Sequence, residues 1–222
     1  MVSPGIRILA FLSTVLFCLP LMGQQLHEGD LLFACSDSAN AITAVTSGID
    51  ELPIDHVGVV HRIGGENGPL YVIEAVKPVV CLTPIDTFLC QNGAVIVGRV
   101  NVDLDVKRSV KSCLLLVGRP YDDLYLPGDS ALYCSELVQR CFVNSNGELV
   151  FNTIEMSFHD ATGQVTDYWK AFYSRRGMAV PEGEPGTNPG ELSRRPQVTV
   201  IGKLLRGNWQ HDDKKLTTKT DN

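Results

Sequence analysis

Cys134, His56 and Glu74 are the side chains whose types and settings can do covalent chemistry. Cys134 opens the stretch "CSELVQRC", where Cys134, Leu137, Val138 and Cys141 fall at helical spacing. It follows the irregular run "YDDLYLPGDSALY", broken by Pro127 and Gly128. A thiol at that point sits at a helix start, where unpaired backbone N–H groups and the positive end of the helix dipole stabilise a thiolate. A nucleophilic cysteine also needs a base, and the base needs a group to orient it. His56 begins the apolar run "HVGVVHRI" and Glu74 interrupts "LYVIEAV", where a carboxylate is out of place unless paired. Together the three would perform acyl transfer through a thioester. The plain alternative makes Cys134 core filler, His56 a strand-end residue and Glu74 part of a solvated face.

Positioning those groups requires particular elements. "HVGVVHRI" and "LYVIEAV" are rich in valine and isoleucine and are separated by "GGENGP", which predicts an antiparallel hairpin. If the hairpin turns about Gly65, residues whose numbers sum to 130 lie opposite one another, which brings His56 to Glu74 on one face. A slip of one residue would put them on opposite faces. "DLLFA" and "AVIVGRV" predict two more strands, and "QVTVIGKLL" a last one. "SDSANAITAVTSG" predicts a short helix ending near Gly48, the pattern from Val106 a helix stopped by Gly118 and Pro120, and "VTDYWKAFYSRR" a later helix. "PEGEPGTNPGE" predicts a surface loop. The aromatic cluster Tyr168, Trp169, Phe172 and Tyr173 is expected to serve helix packing.

The whole chain limits the function classes. Residues 1–23 carry one cation, Arg7, then an apolar run interrupted by Pro20, which predicts a secretory signal cleaved after Gly23. That run is shorter than the ~20 apolar residues a membrane-spanning helix needs, so no transmembrane segment is expected in the mature chain. Lipid anchoring at Cys18 is not expected, because bulky Phe17 precedes it. Cleavage leaves 18 basic and 25 acidic residues and no basic run, which argues against a nucleic-acid partner. Residues 24–207 suit one domain, and 208–222 form a polar tail expected to be flexible. Cys81 and Cys90 could close a short loop, whereas Cys113 and Cys141 fall on apolar helical faces as buried thiols. His56 and His61 are five positions apart and face oppositely along a strand, so no metal site is expected, nor any cofactor.

"GDLLF", "DHVGVV", "YVIEA", "GRPYD" and "YCSELV" occur here in that order. In this the chain resembles the YiiX-like proteins, a circularly permuted branch of the NlpC-like, papain-fold cysteine hydrolases. The resemblance spans about residues 26–205 and implies an α+β, permuted papain-like fold, with a small antiparallel sheet packed against the nucleophile-bearing helix. It also accounts for His56 preceding Cys134. Cys134 corresponds to the family nucleophile, His56 to the base and Glu74 to the third polar residue, while Tyr121 of "GRPYD" is a candidate substrate contact. The Cys134 backbone N–H is a candidate oxyanion donor. The implied function is an exported cysteine hydrolase that cleaves an amide, with cell-wall stem peptides as the substrate class. A lipid acyl hydrolase or acyltransferase on the same Cys–His site is the alternative, and a binding protein without turnover is a third reading. Expected partners are therefore a peptide or acylated small-molecule substrate, drawn from peptidoglycan or lipid.

Overall fold

The computed structural model describes residues 26–65, 67–128, 130–205 and 208–210. Its frame is a seven-stranded antiparallel sheet among those residues. Strands β1 (Leu31–Cys35), β2 (Ile54–Arg62), β3 (Leu70–Val76) and β4 (Val79–Pro84) precede helix α1 (Ile85–Gln91) and β5 (Ala94–Val100). Helices α2 (Val106–Leu115) and α3 (Cys134–Cys141) follow. A two-stranded ribbon of β6 (Ile154–Glu155) and β7 (Pro185–Gly186) flanks α4 (Asp167–Ser174). Helix α5 (Pro189–Ser193), β8 (Val198–Leu205) and β9 (Asn208–Gln210) end the described chain. The order across the sheet is β4-β3-β2-β1-β5-β8-β9.

Alternation along β1 divides the core. Leu31 and Phe33 join Val57, Val59, Ile73 and Ala75 in one apolar layer with Val110 of α2 and Leu137 and Val138 of α3. Leu32 and Ala34 join Val60, Val72, Val95 and Val97 in a second layer, covered by Phe88 of α1. Helix α3, which begins at Cys134, is thus packed on the sheet as expected. Seven of its eight residues are buried, including Ser135, Glu136 and Gln139.

Several local expectations change. Residues 36–48 make a single turn with no helix. The Asn40 Oδ1 accepts the backbone N–H of Ile42 at 2.9 Å and of Thr43 at 3.0 Å, and its Nδ2 donates to Asp55 at 2.6 Å. Those bonds cap a single turn at Asn40, and the β-branched Thr43, Val45 and Thr46 disfavour carrying it on as a helix. The hairpin pairs Val59 with Ile73 and His61 with Tyr71, so opposed numbers sum to 132 rather than 130. The two-residue difference keeps His56 and Glu74 on one face, because side chains alternate with period two. No disulfide joins Cys81 of β4 to Cys90 of α1. Asn208–Gln210, read as the start of the tail, pair with β8, while residues 1–25 and 211–222 lie outside the described residues.

Asp30, two per cent exposed, receives Arg99 Nε and Nη2 at 2.7 Å each and the His27 backbone N–H at 2.8 Å. This forked pair fastens the start of β1 to β5. Breaking a buried pair strands the remaining charge, so Asp30→Ala is expected to cost about 3 kcal/mol in urea denaturation. The same variant should leave the kcat of folded protein unchanged, because this pair belongs to no part of the Cys134 site.

Candidate active site

Cys134 is the first residue of α3, after a Tyr133 whose extended backbone ends the preceding loop. Its N–H is therefore one of those a helix cannot pair internally. The start of α3 is held from behind by Glu136, whose carboxyl accepts the Tyr133 backbone N–H and meets Arg140 Nε at 2.9 Å. This is the return half of a capping box, with the acid three residues after the cap. Burial, only partly offset by Arg140, raises the Glu136 carboxyl to about 7.

His56 lies just after an irregularity in β2: Ala34 pairs with His56 and Cys35 with Ile54, leaving Asp55 as the extra residue. Bulges re-aim side chains, and this one immediately precedes the imidazole. The ring Nε2 contacts Glu74 Oε2 at 2.6 Å, and the Phe88 ring lies 6.1 Å away between centroids. The second hydrogen-bonding partner of the imidazole is the Cys134 thiol. With Nε2 committed to Glu74, Nδ1 is the nitrogen left for sulfur.

Glu74 is nearly inaccessible, its side chain four per cent exposed against 18 per cent for His56. Both carboxylate oxygens are used: Oε2 by His56 and Oε1 by Thr83 Oγ1, which donates from β4 at 2.5 Å. Such pairing offsets the cost of burying the charge. Beside it Gly58 leaves room for Val72, since a Cβ there would stand 2.3 Å from Val72 Cγ1, while Glu74 Cβ at 3.5 Å would be in ordinary contact. Burial alone would lower the His56 pKa. The hydrogen bonds to Cys134 and then to Glu74, with the charges on both, outweigh burial and push it up from 6.5 to about 10.

Cys134 lines a cavity of about 40 Å³ with Ile42, Val45, Tyr125, Tyr133, Met156, Phe158 and Trp169. Trp169 packs edge-on to Tyr125 and Phe158, at 5.7 and 5.1 Å between centroids. So Trp169 serves the cavity as well as helix packing. Thr187, Asn188 and Pro189 close another side, where the Thr187 N–H donates to the Tyr133 hydroxyl at 3.0 Å. The segment read as a surface loop therefore forms part of the wall. Its buried residues Gly186, Thr187, Pro189 and Gly190 are small or apolar, and Asn188 caps α5.

Tyr121 is half-buried and its hydroxyl meets that of Tyr125 at 3.4 Å. Burial first, and then the charge at Cys134, push its phenol far up. It is Tyr125, not Tyr121, that lines the cavity, so Tyr121 stands one hydroxyl behind the wall. Sequence reasoning did not single out Tyr125, Met156, Phe158 or Thr187, and only the aromatic content of 121–133 hinted at the first. His61 bonds Glu28 at 2.6 Å, a second histidine–carboxylate pair with a different partner.

An oriented imidazole between a buried carboxylate and a thiol at a helix start is the arrangement that makes a thiolate and returns its proton to a leaving group. Comparisons with known proteins bear on the family and the fold. The chain is 28% identical over 198 residues to uncharacterized protein YiiX of Escherichia coli (strain K12), covering 86% of this chain and 93% of that one. Its fold is similar to a crystal structure described as metalloprotein yiiX from Escherichia coli O157:H7, with a TM-score of 0.65 and 26% identity over 80% of this chain and 97% of that one. Among the described residues no group of three or more His, Cys, Asp or Glu side chains is arranged to hold a metal ion. The family model of the permuted papain-like amidases matches residues 25–202. With its histidine strand ahead of its cysteine helix, a mostly antiparallel sheet, and this match over most of its length, the chain belongs to the permuted papain-like amidase family, YaeF/YiiX, C92.

Proposed function

We propose that this cysteine amidase works through a thioester on Cys134, with His56 as proton carrier and Glu74 as its orienter. The observation that carries the reading is the continuous series Glu74–His56–Cys134 ending in the apolar cavity. The Cys134 thiolate attacks the amide carbonyl and forms the C–S bond. The Cys134 N–H at the start of α3 donates to the oxygen on which charge develops. Imidazolium His56 then gives its proton to the amide nitrogen as the C–N bond breaks, and the amine leaves. In the second half neutral His56 takes a proton from water while the oxygen attacks the thioester. Acid is released and the thiolate–imidazolium pair returns. Glu74 keeps the ring in place and stabilises its charge throughout. Tyr121, through its contact with Tyr125, positions the tyrosine that faces substrate.

For the substrate we propose an amide of the cell-wall stem-peptide class, reached by the protein after its export and cleavage of residues 1–23. The signal-like pattern of that segment supports export, and the family supports the amide bond. A second reading, an acyl-lipid substrate on the same site, is favoured by the lining of Ile42, Val45, Met156, Phe158 and Trp169, which suits an aliphatic acyl group. Muropeptides and N- or O-acylated lipids, incubated separately with the protein and with Cys134→Ala, discriminate. Cys134-dependent product from muropeptides is expected. Product from the lipid pool alone replaces the peptide reading with the lipid one, and product from neither brings the binding-protein reading forward.

A further inference from the structure

Two buried thiols have no part in the chemistry above. Cys113 lies on α2 with no exposure, and Cys141, two per cent exposed, is the last residue of α3. The helices are fastened just beside them. The Asp105 N–H donates to the Val143 carbonyl at 2.9 Å, and the Val143 N–H donates to Ser109 Oγ at 3.1 Å. Cys113 is one helical turn beyond Ser109 and Cys141 two residues before Val143, so the same docking places both thiols where α2 meets α3. Both thiols lie inside the one apolar layer that also holds Val110, Leu137 and Phe142.

We propose that Cys113 and Cys141 form a disulfide as the chain folds, tying α2 to the far end of the nucleophile helix. The oxidant is a low-molecular-weight disulfide of the glutathione type. One cysteine thiolate attacks a sulfur of that disulfide, forming a mixed disulfide and expelling one small thiolate. The second cysteine thiolate attacks the protein sulfur of the mixed disulfide, forming the Cys113–Cys141 bond and expelling the other. The protein pair loses two electrons and two protons, and the oxidant becomes two thiols. Once packed, the reduced pair is slow to react: the hydrogen bond from Cys141 and then burial push the Cys113 thiol up, and exchange needs the thiolate. Oxidation therefore belongs to folding, before the layer closes. Closing the loop between the two positions constrains the unfolded chain and so favours the folded one.

The full chain, reduced and unfolded, is refolded in a glutathione redox buffer, quenched with acid, alkylated in denaturant and mapped by peptide mass. The expected result is a peptide linked through Cys113 and Cys141, with Cys134 recovered alkylated. The oxidised protein should melt roughly 5–10 °C above the dithiothreitol-treated protein. That difference should vanish in Cys113→Ala. Recovery of Cys113 and Cys141 as alkylated thiols, or linked to other cysteines, overturns the proposal. The peptide map of the unsubstituted chain decides the matter even if the variant does not fold.

Discussion

Replacing Cys134 with alanine is expected to abolish turnover, lowering kcat by roughly a million-fold, as loss of the nucleophile does in a covalent mechanism. Stability should fall by only about 1 kcal/mol in denaturant titration, since one sulfur is removed from the edge of a packed layer. The two results together separate chemistry from folding. The thiol is four per cent exposed and borders the cavity, so a substrate carbonyl can approach it from that side. Retention of Cys134-independent hydrolysis would remove the thioester from the mechanism. In that event His56 and Glu74 would need another nucleophile beside them.

Replacing His56 with alanine is expected to lower kcat/KM by about 100- to 10,000-fold, the range that positioned acid–base groups contribute. Its pH behaviour is more diagnostic. The His56 pKa is held up to about 10 against 6.5 for a free imidazole, although burial opposes this, because Cys134 and Glu74 favour the protonated ring. A raised folded-state pKa means the imidazolium stabilises the fold fully below about pH 6.5, with that contribution lost as pH rises through about 10. The acid that protonates the leaving amine is lost over the same upper interval. The alkaline limb of kcat/KM is therefore expected near pH 10 in the unsubstituted protein. Glu74→Gln keeps a hydrogen-bonding side chain but removes its charge, so the limb should move down toward neutrality. An alkaline limb that ignores Glu74→Gln would mean that another group supplies the proton.

Much of this site is legible along the chain because its residues break local rules. Glu74 is a carboxylate in an apolar strand, and Cys134 stands where irregular sequence gives way to helical spacing. Hairpin parity survived an error in the turn centre, since a shift of two residues changes the neighbour and preserves the face. The short β4 and α1, by contrast, give little periodic signal. Yet β4 supplies the Thr83 hydroxyl that satisfies the second oxygen of Glu74.

The sequence by itself determined strands β1, β2, β3, β5 and β8 and helices α2, α3 and α4, the identity of the thiol, imidazole and carboxylate, and the order that marks a permuted chain. Only the tertiary structure decided what surrounds them. The bulge at Asp55 sets the placement of His56, and the hydrogen bond from Thr187 to the Tyr133 hydroxyl draws a polar, breaker-rich segment into the cavity wall. Met156, Phe158 and Trp169 reach Cys134 from the region of the β6–β7 ribbon and α4. The physical reason is that periodicity reports which face of an element is apolar, while contacts between distant segments depend on packing and on which single polar groups find partners.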